Sequence, residues 1–589
     1  MLRKILLPTL VSFICLSLLL SPAGVQGTEP REGPQPPATW ILPAELYQGF
    51  FTVPPRWQVR GETIVDSGFR PFPNGFPFAN YGGDFEDNQV IYGLPERVTL
   101  PPAKNWTPAV PVELNALALR RTFGEGVCVK GSPRDANGNC FLTRTSEILS
   151  RVISEQADGG HCFGIAAAAA ALYNGQINPN QVGSQMLPNT NNLNAAAQRT
   201  ILRLFGTQFF GALDNLIGDS PNDVVKILTR DLAGGTVPYV LTLLGEEGGH
   251  AVTPYAVNER TDEGLIEIAV YDNNFPNLAR AVLVDPVSNT FSYSGSLNPA
   301  EDTLLWEGNN IEGSSLNLLS VQETLERQSC PVCIGPDQGS FVAFAAVDKA
   351  NQDLNFVLLD LKGEPLDKTD YQIVSPLNPP TGKEITLPMV IVDPGVSYRL
   401  IINGIDMKKT EDLELYVMAN GKVNELFLEG FTPGTLAEFV VDRKNGQSGY
   451  QASKTTSPRV VQTIEVERAS LVLNGRIKIL RGETKVSQRT DAKKGITRYS
   501  SNSKRTESWN MQATYEGLTR DSSFVALDLQ LAPKDVLVLN YKNWDGRGAP
   551  ALWIDNKGDG SLDQRVPMTA VTPALIAASK DDLYVSKGL

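Results

Sequence analysis

The chain begins with a basic start, Met1-Leu-Arg-Lys4, followed by an apolar run from Ile5 to Leu20 and the small residues Ser21-Pro-Ala-Gly-Val-Gln-Gly27. This order predicts a secretory signal peptide over 1–27, because the apolar core is shorter than the roughly twenty residues of a comfortable membrane span. No later stretch of that length is uniformly apolar, so membrane insertion is not expected and the mature chain is read as secreted or periplasmic. Residues 28–45 are rich in Pro and Gly and read as an extended arm. They open a segment, 28–125, whose cluster Phe69-Arg-Pro-Phe-Pro-Asn-Gly-Phe-Pro-Phe78 is expected to lie over the next domain, with an inhibitory pro-segment as the alternative.

The pattern then turns helical. Ile165 to Tyr173 carries six consecutive alanines, which have the best helix propensity and let neighbouring layers approach closely. Ser220-Pro-Asn-Asp has helix-start chemistry, and Val237 to Leu244 reads as a strand. His250 to Val257 and Leu265 to Asp272 are strand-like runs separated by a charged turn and predict a β-hairpin. From about 340 onward, short β-branched and aromatic runs are spaced by Gly, Pro, Asn and Asp. They predict sandwich-like β domains over 340–455 and 460–575, separated by polar residues 443–460.

At 589 residues and 42% hydrophobic composition, the chain has material for several domains with ample cores. A net charge of −13 argues against nucleic acid as a partner and against attraction to anionic lipid. The stretch Arg476 to Arg505 is a local basic exception, read as a solvated strand face and loop.

The chain has only two histidines, and both follow paired glycines: Gly-Gly-His161-Cys162 and Gly-Gly-His250-Ala-Val. A thiol nucleophile needs an imidazole to hold it as thiolate and to shuttle its proton, which makes Cys162 and His250 the natural pair. His161 adjoins Cys162 at a helix start and does not face it, so it is read as lining or structural. Asp272 closes the second hairpin strand where the antiparallel pairing returns it towards His250, with Asn273 as the alternative third member. Cys128 and Cys140 bracket a polar loop and are read as a disulfide, as are Cys330 and Cys333, for which a redox dithiol or half of a zinc site stay open. With Cys15 in the leader set aside, Cys162 is the odd cysteine.

Gln156 lies six residues before Cys162, and the alanine-rich helix follows it. In these features the chain resembles the papain-like cysteine peptidases over about 126–310. The resemblance implies a helix N-terminus that favours the Cys162 thiolate and an oxyanion site made by the Gln156 amide and the Cys162 backbone N–H. It also implies Asp272 as the residue that steadies the imidazole. The expected architecture is an α+β papain-like domain over 126–335 followed by all-β sandwich-like domains. The expected activity is thiol hydrolysis of a peptide or protein substrate. The alternatives are a silent papain-like scaffold used for extracellular binding or adhesion, or acyl transfer of the transglutaminase type. No cofactor is required. Asp555, Asp559 and Asp563 in Trp553-Ile-Asp-Asn-Lys-Gly-Asp-Gly-Ser-Leu-Asp563 fall at calcium-ligand intervals with Gly560 at the sharp turn, so structural calcium is a candidate against a plain Asp/Gly turn. Lys557 stands where an oxygen ligand is expected, and no glutamate closes the loop.

Overall fold

The computed structural model describes residues 53–78, 80, 114–157, 160–183, 194–210, 216–245, 248–295, 304–334, 339–346, 355–374, 389–405, 407–466, 469–477 and 480–578. The expected signal peptide over 1–27 and the arm over 28–45 lie outside them. No helix among the described residues is long and apolar enough to cross a membrane.

Apart from one early strand, the longer helices precede the first sheet in the chain. The helices of eight residues or more among the described residues are α1 (Ala116–Phe123), α2 (Arg144–Gln156), α3 (Cys162–Tyr173), α4 (Ala195–Gly206) and α5 (Pro221–Asp231). Helix α3 is apolar all round, and every residue from Cys162 to Leu172 is buried, as expected of a helix enclosed on all sides. Its small side chains permit that enclosure. A Cβ at Gly164 would sit 2.2 Å from the Ile201 carbonyl oxygen, so α3 and α4 meet there at the backbone. At its far end, Asn174 donates to the Val237 carbonyl and accepts the Val237 N–H, both at 2.8 Å, tying the helix to the sheet.

That sheet contains β1 (Glu62–Asp66), β2 (Tyr239–Gly245), β3 (Gly248–Arg260), β4 (Leu265–Tyr271), β5 (Ala279–Asp285), β6 (Thr290–Gly295), β7 (Leu304–Gly308) and β8 (Ser315–Ser320). Among the described residues its order is β7-β6-β5-β4-β3-β2-β8, with β1 also pairing β3. The long β3 pairs antiparallel with β2 through its first half and with β4 through its second. Residues of β3 and β4 supply buried polar ties to the segment before β1. Glu267 accepts from Arg260 Nε at 2.7 Å, Asn258 Nδ2 at 2.6 Å and the Gly61 N–H at 3.0 Å, and Arg260 donates to the Arg56 and Gln58 carbonyls, so the N-terminal segment hydrogen-bonds through its backbone to a buried ion pair of the sheet.

Beyond residue 339 the protein is a β-sandwich of a nine-stranded and a ten-stranded antiparallel sheet among the described residues. The polar stretch 443–460, expected to separate two units, instead holds the strands Gln447–Ala452 and Ser457–Val466. Alternation explains the difference: Ser448, Tyr450 and Ala452 face inward while Gln447 and Gln451 stay partly exposed, so a half-buried strand carries polar residues at every second position. Gln447–Ala452 pairs with Lys485–Asp491, and Ser457–Val466 with Ala469–Ile477. Both sheets therefore run through the expected boundary, and one core cluster extends from Val342 to Val566. Arg489 and Arg498 of the basic stretch are directly paired across two of its strands.

The sandwich packs on the helical layer through α2. Val152 and Ile153 share a core cluster with Phe341, Tyr416, Met418 and Val423. Buried acids line the same contact. Glu465 accepts the Thr145 N–H at 3.0 Å and the Ser470 hydroxyl at 2.8 Å. Burial pushes its carboxyl up to about 7, against the lowering effect of those hydrogen bonds. Burial also raises Glu516 to about 7. A folded-state pKa above the unfolded value of 4.5 means the native protein holds the proton longer. Stability from this contact is therefore full below about pH 4.5 and is lost as pH rises through about 7. Glu465→Gln keeps a neutral amide of the same shape. Calorimetry at pH 5, 6, 7 and 8 should show the variant losing one proton's worth of this slope between about pH 5 and 7, about 1.4 kcal/mol per pH unit, and little change above that. An unchanged slope would remove Glu465 as its source.

Candidate active site

Cys162 begins α3 with His161 at the cap position, and no side chain caps that helix start. The first-turn N–H groups of a helix have no intrahelical acceptors, and its dipole adds partial positive charge there. His250 lies near the start of β3, and Asp272 directly follows β4. Thr253 pairs with Tyr271 in the register, so His250 and Asp272 lie at the same end of the hairpin. Their side chains meet: His250 Nε2 and Asp272 Oδ1 are 2.7 Å apart and both residues are fully buried.

The helix is locked to this corner by Asn273. Its Nδ2 donates to the Cys162 carbonyl at 3.1 Å and to the Ala251 carbonyl at 2.8 Å, linking the residue after His250 to the candidate nucleophile's own backbone. Asn273, the alternative ring partner, is thus placed as a brace between α3 and β3, while Asp272 takes the imidazole. Thr253 adds a second tie, its hydroxyl donating to the Ala166 carbonyl at 3.2 Å.

Three further groups complete the surroundings of Asp272, and the sequence reading did not single them out. Tyr293 donates its hydroxyl to Asp272 Oδ2. Arg280 Nε donates to Tyr293 Oη at 3.0 Å and stands 4.0 Å from Asp272 Oδ2. The Asn274 N–H donates to Asp272 Oδ1 at 2.8 Å. Burial works to raise the Asp272 carboxyl, but the His250 charge and hydrogen bond, then Arg280 and Tyr293, outweigh it and hold the group below its ordinary value. Burial keeps the Tyr293 phenol neutral, far above its usual range, so it serves as a donor. Trp306 stacks over His250 with ring centroids 6.2 Å apart and planes 18° from parallel. The indole shields one face of the ring from water.

A further missed residue comes from the N-terminal segment. Asn80 is fully buried; its Oδ1 accepts the His161 N–H at 2.6 Å and its own N–H donates to the Asn273 carbonyl at 2.8 Å. Its Nδ2 is buried without a hydrogen-bond partner. Phe69, Phe76 and Phe78 share one core cluster with Cys162, so this segment packs into the domain that carries the site. Phe205 lies against the His161 ring at 5.7 Å, which makes that histidine part of the α3–α4 packing.

Two sequence expectations meet different outcomes at the cysteines. The disulfides Cys128–Cys140 and Cys330–Cys333 are both present. Cys162, expected to be the odd thiol, is instead disulfide-bonded. The odd count rested on setting Cys15 aside; the whole chain has six cysteines, an even number. Gln156 is the last residue of α2, and its side chain lies outside the described set. At the other end of the chain, Asp555, Asp559 and Asp563 come together in one hairpin loop.

No protein-family model, curated protein or solved structure matches the chain.

Proposed function

We propose that the protein is an exported thiol hydrolase of papain-like type, acting on a peptide or isopeptide bond through a Cys162 thioester. The observation that carries this reading is the juxtaposition of the buried His250–Asp272 pair with the start of α3 through Asn273. Asp272 occupies His250 Nε2, so Nδ1 is the ring nitrogen that would take the thiol proton. The Cys162 thiolate would attack the substrate carbonyl carbon, and the α3 N-terminus would receive the oxyanion. By the resemblance, the Gln156 amide and the Cys162 N–H are its donors; the buried carboxamide of Asn80, held against the His161 N–H, lies at the same helix start. His250 would return the proton to the leaving amine, and water would then hydrolyse the thioester, releasing the acid and restoring the thiol.

The reading requires release of the Cys162 sulfur from its disulfide and an opening to solvent. Those same observations favour a second reading, a catalytically silent scaffold serving extracellular binding, because Cys162 and His250 are both fully buried. The two differ in thiol chemistry. The exported chain, reduced with dithiothreitol, should label at Cys162 with an epoxide-type thiol probe, as mapped by peptide mass spectrometry. It should also cleave members of a fluorogenic peptide library, with Cys162→Ala inert in both assays. A reduced Cys162 that alkylates no faster than a small-molecule thiol of ordinary pKa, with no cleavage, would sink the hydrolase and leave the scaffold.

A further inference from the structure

We propose that the hairpin loop from Asp555 to Asp563 is a calcium site that stabilises the C-terminal end of the sandwich, independently of the chemistry at Cys162. The loop joins the strands Ala551–Asp555 and Gln564–Val566, which pair through Leu552↔Val566 and Ile554↔Gln564. Gly558 and Gly560 take left-handed backbone angles, φ 66° and 95°, so the loop turns back on itself. One carboxylate oxygen each of Asp555, Asp559 and Asp563 lies within 4.8 Å of the others. Oxygens around one calcium ion stand 2.3–2.6 Å from it, so two ligands are at most about 5 Å apart. The observed spread fits that limit.

Acids that merely close a turn should spend their oxygens on local N–H and O–H donors, and much of this loop does so. Asp555 Oδ2 accepts the Gly560 N–H at 2.9 Å, and Asp563 Oδ2 the Asn556 N–H at 2.7 Å. Ser561 donates its hydroxyl to Asp559 Oδ1 at 2.6 Å and to Asp563 Oδ1 at 2.8 Å, and its N–H to Asp559 Oδ1 at 2.9 Å. The turn account fails at one atom. Asp555 is only 3% exposed, yet its Oδ1 is buried with no hydrogen-bond partner. A carboxylate oxygen removed from water without a donor is costly, and two further carboxylates nearby make it worse. A hard divalent cation removes both penalties, and an all-oxygen donor set selects calcium over zinc.

Lys557 departs from the usual ligand pattern, but its side chain is exposed and its N–H donates to Asp535 Oδ1 at 3.2 Å, which pins the loop to the neighbouring turn. With that ligand position vacant of an acid, affinity should fall in the range of extracellular modules, about 10⁻⁴–10⁻³ M.

The test uses the whole purified chain stripped of metal with a chelator. Trp553 lies two residues before Asp555, about 7 Å along the strand, and should sensitise bound terbium. Saturable terbium luminescence, displaced by calcium at about 0.1–1 mM, is expected. So is a rise of at least about 2 °C in Tm at 5 mM calcium. Asp559→Asn combined with Asp563→Asn, both exposed positions, should weaken binding at least about tenfold. Asp545→Asn, an exposed acid on another loop, should leave it unchanged. No saturable signal in the native chain, or the same signal in the double variant, would overturn the site.

Discussion

His250→Ala should reduce peptide cleavage by at least about 10³-fold while changing the pH profile of Cys162 alkylation more than its rate. The two readouts separate because, on the proposed reading, the imidazole would do two jobs. As proton acceptor it would hold the thiol ionised: an isolated thiol titrates near about 8.5, and one paired with an imidazolium near about 3–4. At pH 5 the variant would therefore carry about 10⁻³ to 10⁻⁴ of its sulfur as thiolate, against nearly all in the native pair. A more basic thiolate is also more nucleophilic, by a Brønsted factor of about 0.4–0.5 per pKa unit, which returns about two orders of magnitude. Alkylation at pH 5 should thus fall only some tens-fold. Its rate in the variant should climb about tenfold per pH unit until about pH 8.5, whereas the native rate should be flat from pH 5 to 8. Cleavage suffers more, because alanine cannot protonate the leaving amine, and no thiolate concentration replaces that step. Iodoacetamide kinetics on the reduced protein across this range provide the measurement. Identical pH profiles in the native chain and the variant would show that the two residues do not interact.

What the sequence disclosed of this corner was set by how local the signals are. Strand periodicity and the length of the turn between Val257 and Leu265 were enough to bring Asp272 back towards His250, because an antiparallel register is arithmetic. The alanine run likewise announced a buried helix starting at Cys162. Tyr293, Arg280 and Trp306 were not legible, since each belongs to a different strand and meets Asp272 or His250 only after β4, β5, β6 and β7 stack side by side. Alternation places Tyr293 on the inner face but does not name what it touches. Asn80 is harder still, being 82 residues from Cys162 and held by the backbones of His161 and Asn273. The same non-local pairing misled the domain reading at 443–460, where polar residues compatible with a linker form strands because their partners lie in the following half of the sandwich.

Asp272→Ala should be the most destabilising single change in the site, on the order of 3–5 kcal/mol, because it leaves buried donors and a buried cation without their acceptor. His250 Nε2, the Tyr293 hydroxyl and the Asn274 N–H all donate to this carboxylate, and Arg280 stands 4.0 Å away with only 3% exposure. Asp272→Asn should cost less, since its carbonyl can still accept, but it removes the negative charge facing Arg280 and His250. The pH dependence identifies the carboxylate as the source. Its folded-state pKa is lowered, so its contribution is fully present above the unfolded value of 3.8 and is lost as pH falls through the folded value. This is opposite in sign to Glu465, whose raised carboxyl removes stability as pH rises towards about 7. From these two groups the native protein should therefore lose stability on both sides of a maximum near about pH 4, between the two unfolded values of 3.8 and 4.5. Asp272→Asn should flatten only the acid side and Glu465→Gln only the alkaline side. Denaturant titrations at pH 3 to 8 on the three proteins would resolve the two limbs. An acid limb as steep in Asp272→Asn as in the native chain would mean that this carboxylate is not held ionised by its buried partners.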